Sequence, residues 1–361
     1  MPDRAQAVSD RLASRELGAL VVTAPANVRW LTGFTGSAGL AVVGPGKERH
    51  FFTDFRYDEQ SADQLVDDWE RHIVVDSIAA AGELLAERQS GRPLRVGFDD
   101  AQLSVALYRS LEKACGEGIE LVAAGGLVEE PRSVKDSAEV EAIAAAASLA
   151  DQTLTQVLER GLVGRTEREV ATDIELAART LGASGMSFPP IVASGAHGAL
   201  PHAEPREVAI PKDVLVTIDW GVTLDGYASD CTRTFATGEI GSEEREIYDL
   251  VLAAEESALA ACRAGINAKE LDAVARELIK AAGRGDQFGH GLGHGVGIEV
   301  HEGPRLSWRS TDELKEGQIV TIEPGVYVPG VAGVRIEDLV VVETAGARVL
   351  TGLPKQLQTV V

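Results

Sequence analysis

Over residues 1–130, short apolar runs alternate with stretches of helical period. Leu20-Val21-Val22, Leu40-Ala41-Val42-Val43, Phe51-Phe52-Thr53 and Leu94-Arg95-Val96-Gly97-Phe98 predict strands. Ile78 to Arg88 predicts a helix, so this part is expected to be an α/β layer domain. Proline and charge break the pattern at Val128-Glu129-Glu130-Pro131-Arg132-Ser133, which sets the expected domains at 1–130 and 131–361.

Beyond that boundary the pattern changes. Asp136 with Glu139, Thr166 with Glu169 and Asn267 with Glu270 have the spacing of capping boxes and predict three helix starts. Leu271, Val274, Leu278 and Ile279 continue the last of these as an apolar stripe. Between the helices, apolar runs fall into two hairpin-like pairs, 214–221 with 227–236 and 319–328 with 333–342. Asp225-Gly226 and Pro329-Gly330 supply the turns. An α+β region follows, made of two related helix-and-hairpin halves around a shared antiparallel sheet.

The two hairpins repeat each other in chemistry as well as in period. Val216-Thr217-Ile218-Asp219 returns 104 positions later as Val320-Thr321-Ile322-Glu323. A second acid follows each copy, Asp230 after 11 residues and Glu337 after 14. An apolar run that ends on a carboxylate places it in a mostly dry setting, where an unpaired charge costs several kcal/mol. Four such acids converging therefore require cations between them.

Charge and composition narrow the function classes. A net charge of −22 excludes nucleic acid and anionic membranes as natural partners, while favouring divalent cations. The three cysteines are scattered, which argues against a disulfide framework and for a reducing compartment. The first residues lack a signal-peptide core, and no apolar run is long enough to span a bilayer, so a cytoplasmic protein is expected.

Of seven histidines, His290, His294 and His301 fall between the two acidic hairpins, and His202 lies shortly before the first. In Gly289-His290-Gly291-Leu292-Gly293-His294-Gly295-Val296-Gly297, glycine flanks each imidazole and is expected to let the backbone approach a ligand. Oxygen from Asp219, Asp230, Glu323 and Glu337, with nitrogen from His294, suits Mn²⁺, Co²⁺ or Zn²⁺, with Mn²⁺ preferred. Two such ions about 3.5–4 Å apart can share a water and polarise a carbonyl, which makes metal-assisted hydrolysis the expected reaction.

These residues resemble the pita-bread metallopeptidases, a group that includes methionine aminopeptidase, aminopeptidase P, prolidase and the metal-free creatinase. The resemblance rests on Leu200-Pro201-His202, Ile218-Asp219, Ser229-Asp230-Cys231-Thr232-Arg233-Thr234, Gly293-His294-Gly295 through His301-Glu302, Ile322-Glu323-Pro324-Gly325 and Gly333-Val334-Arg335-Ile336-Glu337-Asp338. Asn27-Val28-Arg29-Trp30-Leu31-Thr32-Gly33-Phe34-Thr35-Gly36 and Thr53-Asp54-Phe55-Arg56-Tyr57 look like a creatinase-type N-terminal domain. The resemblance implies that Asp219 binds one metal, Asp230 and Glu337 bridge the pair, and His294 and Glu323 complete the other. It implies further that Glu323 handles the proton of the attacking water, with His202 and His301 steadying the substrate carbonyl. Arg335 and Thr232 are placed to orient the metal-binding acids, and His290 and Tyr327 to reach the substrate.

The activity so implied is cleavage between an N-terminal residue and a following proline. The N-terminal motifs tilt the expectation toward an Xaa-Pro aminopeptidase, with an Xaa-Pro dipeptidase as the alternative. A dipeptidase must meet a free carboxylate, for which Arg56 and Arg335 are the candidate cations. A non-catalytic peptide-binding module and a methionine aminopeptidase specificity are lesser alternatives. The resemblance also implies a homodimer whose N-terminal domain helps wall the cleft. His50, His72 and His197 are expected to be solvated, and Glu299 and Glu302 to be surface or helix-entry charges.

Overall fold

The computed structural model describes residues 3–66, 68–88 and 93–361. It divides into two compact units, Met1–Arg132 and Ser133–Val361.

The first unit is built on a six-stranded mixed sheet. Its order is Glu70–Ile73, Arg49–Thr53, Leu40–Val43, Ala19–Val22, Leu94–Phe98, Ile119–Ala123. Helices Ser77–Glu87 and Val105–Cys115 close its core through Ala81, Leu85, Leu111 and Cys115. The two strands that the apolar pattern missed are the sheet's edges. Edge strands carry charge because one side faces water, and Glu70-Arg71-His72-Ile73 has almost no apolar signal to read.

The second unit holds two similar halves, each a helix pair packed on a small antiparallel sheet. In the first, helices Ser137–Leu158 and Glu167–Thr180 cover strands Ile191–Ser194, Leu215–Trp220 and Cys231–Ala236. In the second, helices Ser242–Ala261 and Ala268–Ala281 cover a five-stranded sheet that includes Gly293–Gly295, Ile319–Ile322 and Asp338–Glu343. Asp136 and Thr166 close full capping boxes with Glu139 and Glu169. Asn267 instead caps the Lys269 N–H, so the third predicted box is a simple cap.

Both hairpins form, and both break at the acids. Leu215–Trp220 pairs with Cys231–Ala236, and beyond Gly221 the tip continues as Val222–Leu224 with Tyr227–Ala228 in a different sheet. A Cβ on Gly221 would lie 2.0 Å from the Ser229 carbonyl, so only glycine allows this crossing. Asp225 and Gly226 both take positive φ, as the tight turn requires. The second hairpin divides likewise into Ile319–Ile322 with Asp338–Glu343 and Gly325–Val328 with Ala332–Arg335.

The expected shared sheet is thus split into several smaller sheets, and strands Cys231–Ala236 and Asp338–Glu343 of the two halves meet where the acids sit. The Glu337 N–H donates to the Thr232 carbonyl at 3.1 Å. Arg233, fully buried, donates to Asp338 Oδ1 at 2.7 Å, to the Leu353 carbonyl at 2.7 and 3.0 Å, and to the Thr232 and Glu337 carbonyls. One guanidinium therefore fastens the strand after Asp230 to the turn that carries Glu337. Among the described residues no helix is long and apolar enough to cross a membrane.

Removing Arg233 leaves Asp338 with Lys355 and Thr351 as its remaining partners and strands several carbonyls in a dry interior. Arg233→Ala is expected to cost about 3–5 kcal/mol, read as a lower urea midpoint. A loss below about 1 kcal/mol would show that the halves are held by other contacts.

Candidate metal centre

The split hairpins deliver their acids to one place. Asp219 lies on strand Leu215–Trp220 directly opposite Thr232, and Asp230 immediately precedes the paired strand. Glu323 follows Ile319–Ile322, and Glu337 precedes Asp338–Glu343, where Ile322 faces Asp338. Asp219, Asp230, Glu323, Glu337, His294, His202, His290, His301, Arg335 and Tyr327 all line a single cavity of about 720 Å³.

Donor atoms converge in overlapping groups. Asp219, Asp230 and Glu337 form one, His294, Glu323 and Glu337 another, each with its donor atoms within 4.8 Å of one another. Glu337 belongs to both. A third group joins Asp230, His294 and His301, whose ring lies 4.4 Å from that of His294.

These side chains fit a pair of cations. Asp219 Oδ1 and Glu337 Oε1 are buried without any hydrogen-bond partner. Burial, reinforced by the neighbouring acids, pushes Asp230 and Glu337 well above the ordinary carboxylate range. Burial likewise raises Glu323 to about 7. His294 Nδ1 lies 3.0 Å from the Gly295 carbonyl, to which it donates, so Nε2 turns a lone pair toward Glu323 and Asp230 oxygens at 3.4 and 3.6 Å. A lone pair aimed at carboxylates is unfavourable until a positive charge stands between them.

The surrounding residues hold those acids in place. Arg335 donates to Asp219 Oδ2 at 2.6 Å, to Thr232 Oγ1 at 3.0 Å and to the Tyr327 hydroxyl at 2.9 Å. Thr232 passes its own proton to Glu337 Oε2 at 2.7 Å, and Thr321 donates to Glu323 Oε1 at 3.2 Å. His290 Nε2 accepts from Tyr327 at 2.9 Å, which places His290 behind the acids.

The glycines on either side of His294 answer to the chain segments packed beside them. A Cβ on Gly293 would lie 2.1 Å from the Thr321 carbonyl, and one on Gly295 2.1 Å from the Gly303 carbonyl. Their small size lets this strand pass between its neighbours, in close approach to their backbone. Arg276 secures the run by donating to the Phe288 and His290 carbonyls at 2.8 and 2.7 Å.

Residues 141–344 match metallopeptidase family M24, and residues 4–134 match the creatinase/prolidase N-terminal domain. The chain belongs to metallopeptidase family M24. Its fold is the creatinase-type N-terminal domain followed by the pita-bread domain with duplicated halves. The Xaa-Pro dipeptidase of Pyrococcus horikoshii is 31% identical, with 99% of each chain covered. A solved Xaa-Pro dipeptidase from Bacillus anthracis superposes with a TM-score of 0.94 at 35% identity, covering 99% of both chains. The X-Pro aminopeptidase from Thermotoga maritima superposes at 0.87 with 34% identity, covering 96% of this chain and 99% of that one.

Some readings of this M24 sequence need correction. Arg56 is an exposed residue forked onto Asp54, and Arg335 is engaged by Asp219 and Tyr327. Arg305 and Arg309 also line the cavity, beside Trp308. Arg305 stands opposite His294 in the strand pairing, a register that the sequence does not reveal. Glu302 is buried against Lys135 at 3.5 Å, and His50 and His72 are half-buried and contact each other.

His197 is likewise not solvated; it bonds to Glu167, which is fully buried. Glu167 also accepts from the Ser194 N–H and hydroxyl and from the Arg206 fork, bracketing the loop that presents His202. Burial alone would raise its pKa, but the Arg206 fork and Ser194 outweigh it and hold the acid at about 2. The folded value is depressed, so this stabilisation is full above the ordinary carboxylate pKa and disappears as pH falls toward 2. Glu167→Gln should remove about 2–3 kcal/mol at neutral pH and less at pH 3, as unfolding midpoints across that range will read. A pH-independent difference would assign the effect to packing.

Proposed function

We propose that this protein is a two-metal exopeptidase that hydrolyses the bond between an N-terminal residue and a following proline. The observation that carries this reading is the convergence of Asp219, Asp230, His294 and Glu323 on a shared Glu337, with two carboxylate oxygens left unpartnered. These five residues would hold two divalent ions, with manganese preferred and cobalt or zinc as alternatives. Such a pair supplies an acidified water and a polarised carbonyl.

The chain's own groups then position and protonate. Glu323, a carboxylate held by Thr321 at the centre of the cluster, is suited to take a proton from the attacking water and return it to the leaving nitrogen. His301, beside His294, and exposed His202 line the cavity and offer N–H donors to the carbonyl oxygen as it gains charge. Arg335 keeps Asp219 facing the cavity. A proline nitrogen carries no hydrogen to recognise, so selection for it must come from ring shape. Phe188, Pro189, Pro190 and Trp308 give the cavity the apolar walls for that task.

Between the two specificities, dipeptidase is favoured over the aminopeptidase tilt of the N-terminal motifs. Two of the relatives described above are Xaa-Pro dipeptidases, and the N-terminal match is to a domain of creatinases and prolidases. Arg305 and Arg309 add cations at the cavity, suited to the free carboxylate that only a dipeptide brings next to its proline. The likeness to the X-Pro aminopeptidase keeps that activity as the second reading.

Two measurements test the proposal. Asp230→Ala should lose bound metal and all activity, whereas His290→Ala should retain activity within about 10–100-fold of wild type. Equal loss in both would move His290 into the metal shell. Arg305→Gln should lower kcat/KM on Ala-Pro by about 10–100-fold while leaving Ala-Pro-Ala nearly unchanged. If wild type cleaves the tripeptide faster than the dipeptide, the aminopeptidase reading replaces this one.

A further inference from the structure

A second group of ligating side chains lies at the edge of the N-terminal sheet, and none of its members belongs to the carboxylate centre. Strand Glu70–Ile73 runs parallel to Arg49–Thr53, with His50 opposite Glu70 and Phe52 opposite His72. Strand alternation puts these four side chains on one face. His50 Nδ1 and His72 Nε2 stand 3.1 Å apart. Glu70 reaches both, with Oε2 3.3 Å from His50 Nδ1 and Oε1 3.8 Å from His72 Nε2.

The rings are held in this orientation by what lies behind them. Phe52 stacks on His72 with centroids 4.4 Å apart and planes 13° from parallel. The far nitrogen of His50, Nε2, faces Glu48 Oε1 at 3.6 Å, and Arg88 anchors the other oxygen of Glu48 at 2.8 Å. That carboxylate draws the ring proton to Nε2 and leaves the Nδ1 lone pair directed at the gap between the histidines. The arrangement matches the outer carboxylate that commonly orients a metal-ligating imidazole.

Distances decide what the gap fits. Two ligands about 2.0–2.1 Å from a tetrahedral ion lie roughly 3.3–3.4 Å apart. The separations of 3.1 Å between the imidazoles and 3.3 Å from His50 to Glu70 Oε2 lie close to that value, and a small rotation of Glu70, whose other oxygen is 3.8 Å from His72, completes the set. Two imidazoles and one carboxylate make a borderline donor set, unlike the oxygen-rich centre of the other unit. We propose that His50, His72 and Glu70 form a zinc site of the N-terminal unit, with its fourth position open to water. Such an ion would tie the charged edge strand to the sheet by bonds that its sequence lacks the apolar surface to replace.

The test is zinc stoichiometry on the full chain. Protein stripped by chelator and re-equilibrated with Zn²⁺ should bind one equivalent fewer in His50→Gln and in His72→Gln than in wild type. Activity on Ala-Pro should remain within about twofold in both. Glu70→Gln, at a side chain 66% exposed and safe for folding, should weaken this equivalent by at least about tenfold. In an Asp230→Ala background the His72→Gln difference should persist, so the result does not depend on what the carboxylate centre binds. Equal zinc content in wild type and both histidine variants would overturn the site and leave an imidazole–imidazole hydrogen bond. Imidazole resonances of His50 and His72 that ignore added Zn²⁺ would do the same.

Discussion

Everything in the catalytic unit is arranged around four carboxylates that cannot share a dry cavity on their own. Asp230 and Glu337 are almost wholly buried, and Asp219 and Glu323 nearly so at the side chain. Arg335 meets Asp219 directly, but one guanidinium cannot balance four charges in low dielectric. The remaining positive charge has to come from bound ions. Asp230, Glu323 and Glu337 are pushed toward their protonated forms, and two oxygens of the cluster lack partners, for the same reason. The centre is built to be completed.

That demand explains the shape of the fold. A hairpin can carry an acid to the end of a buried strand only if the chain then leaves the sheet, and both hairpins do so at the acid. Gly221 makes the first exit possible by allowing the Ser229 carbonyl to pass where a Cβ would sit. The second exit follows Glu323 at Pro324, which has no N–H to give to a ladder. Each half thereby leaves two acids at its edge. Joining the halves through Arg233 and the Glu337 amide brings the four into range. Duplication thus gives the centre its even acid count, with His294 adding one imidazole from the strand between.

The N-terminal unit contrasts with this in chemistry. Its histidine pair relies on imidazole donors and a partly exposed carboxylate, whereas the catalytic cavity uses buried oxygen. Softer donors and easier access favour zinc; buried, negative oxygen suits harder divalent cations. The two sites also differ in what removal of a ligand does to the protein. Losing an acid from the cavity relieves repulsion, while losing a histidine at the sheet edge removes an anchor from a strand with little apolar surface.

The chain itself determined the pieces whose signal is local. Repeated Val-Thr-Ile-acid runs, capping boxes at Asp136 and Thr166, and the turns at Asp225-Gly226 and Pro329-Gly330 depend only on near neighbours. From them the two-part architecture and the four acids of the cavity were legible. Arg305 facing the cavity, Glu167 beneath the His202 loop and the meeting of His50 with His72 were not. Each depends on register between strands or on residues far apart in sequence, and alternation along one strand carries no information about its partner. The need for glycine on either side of His294 has the same origin. Side-chain bulk there is excluded by carbonyls of strands that only the folded chain brings alongside.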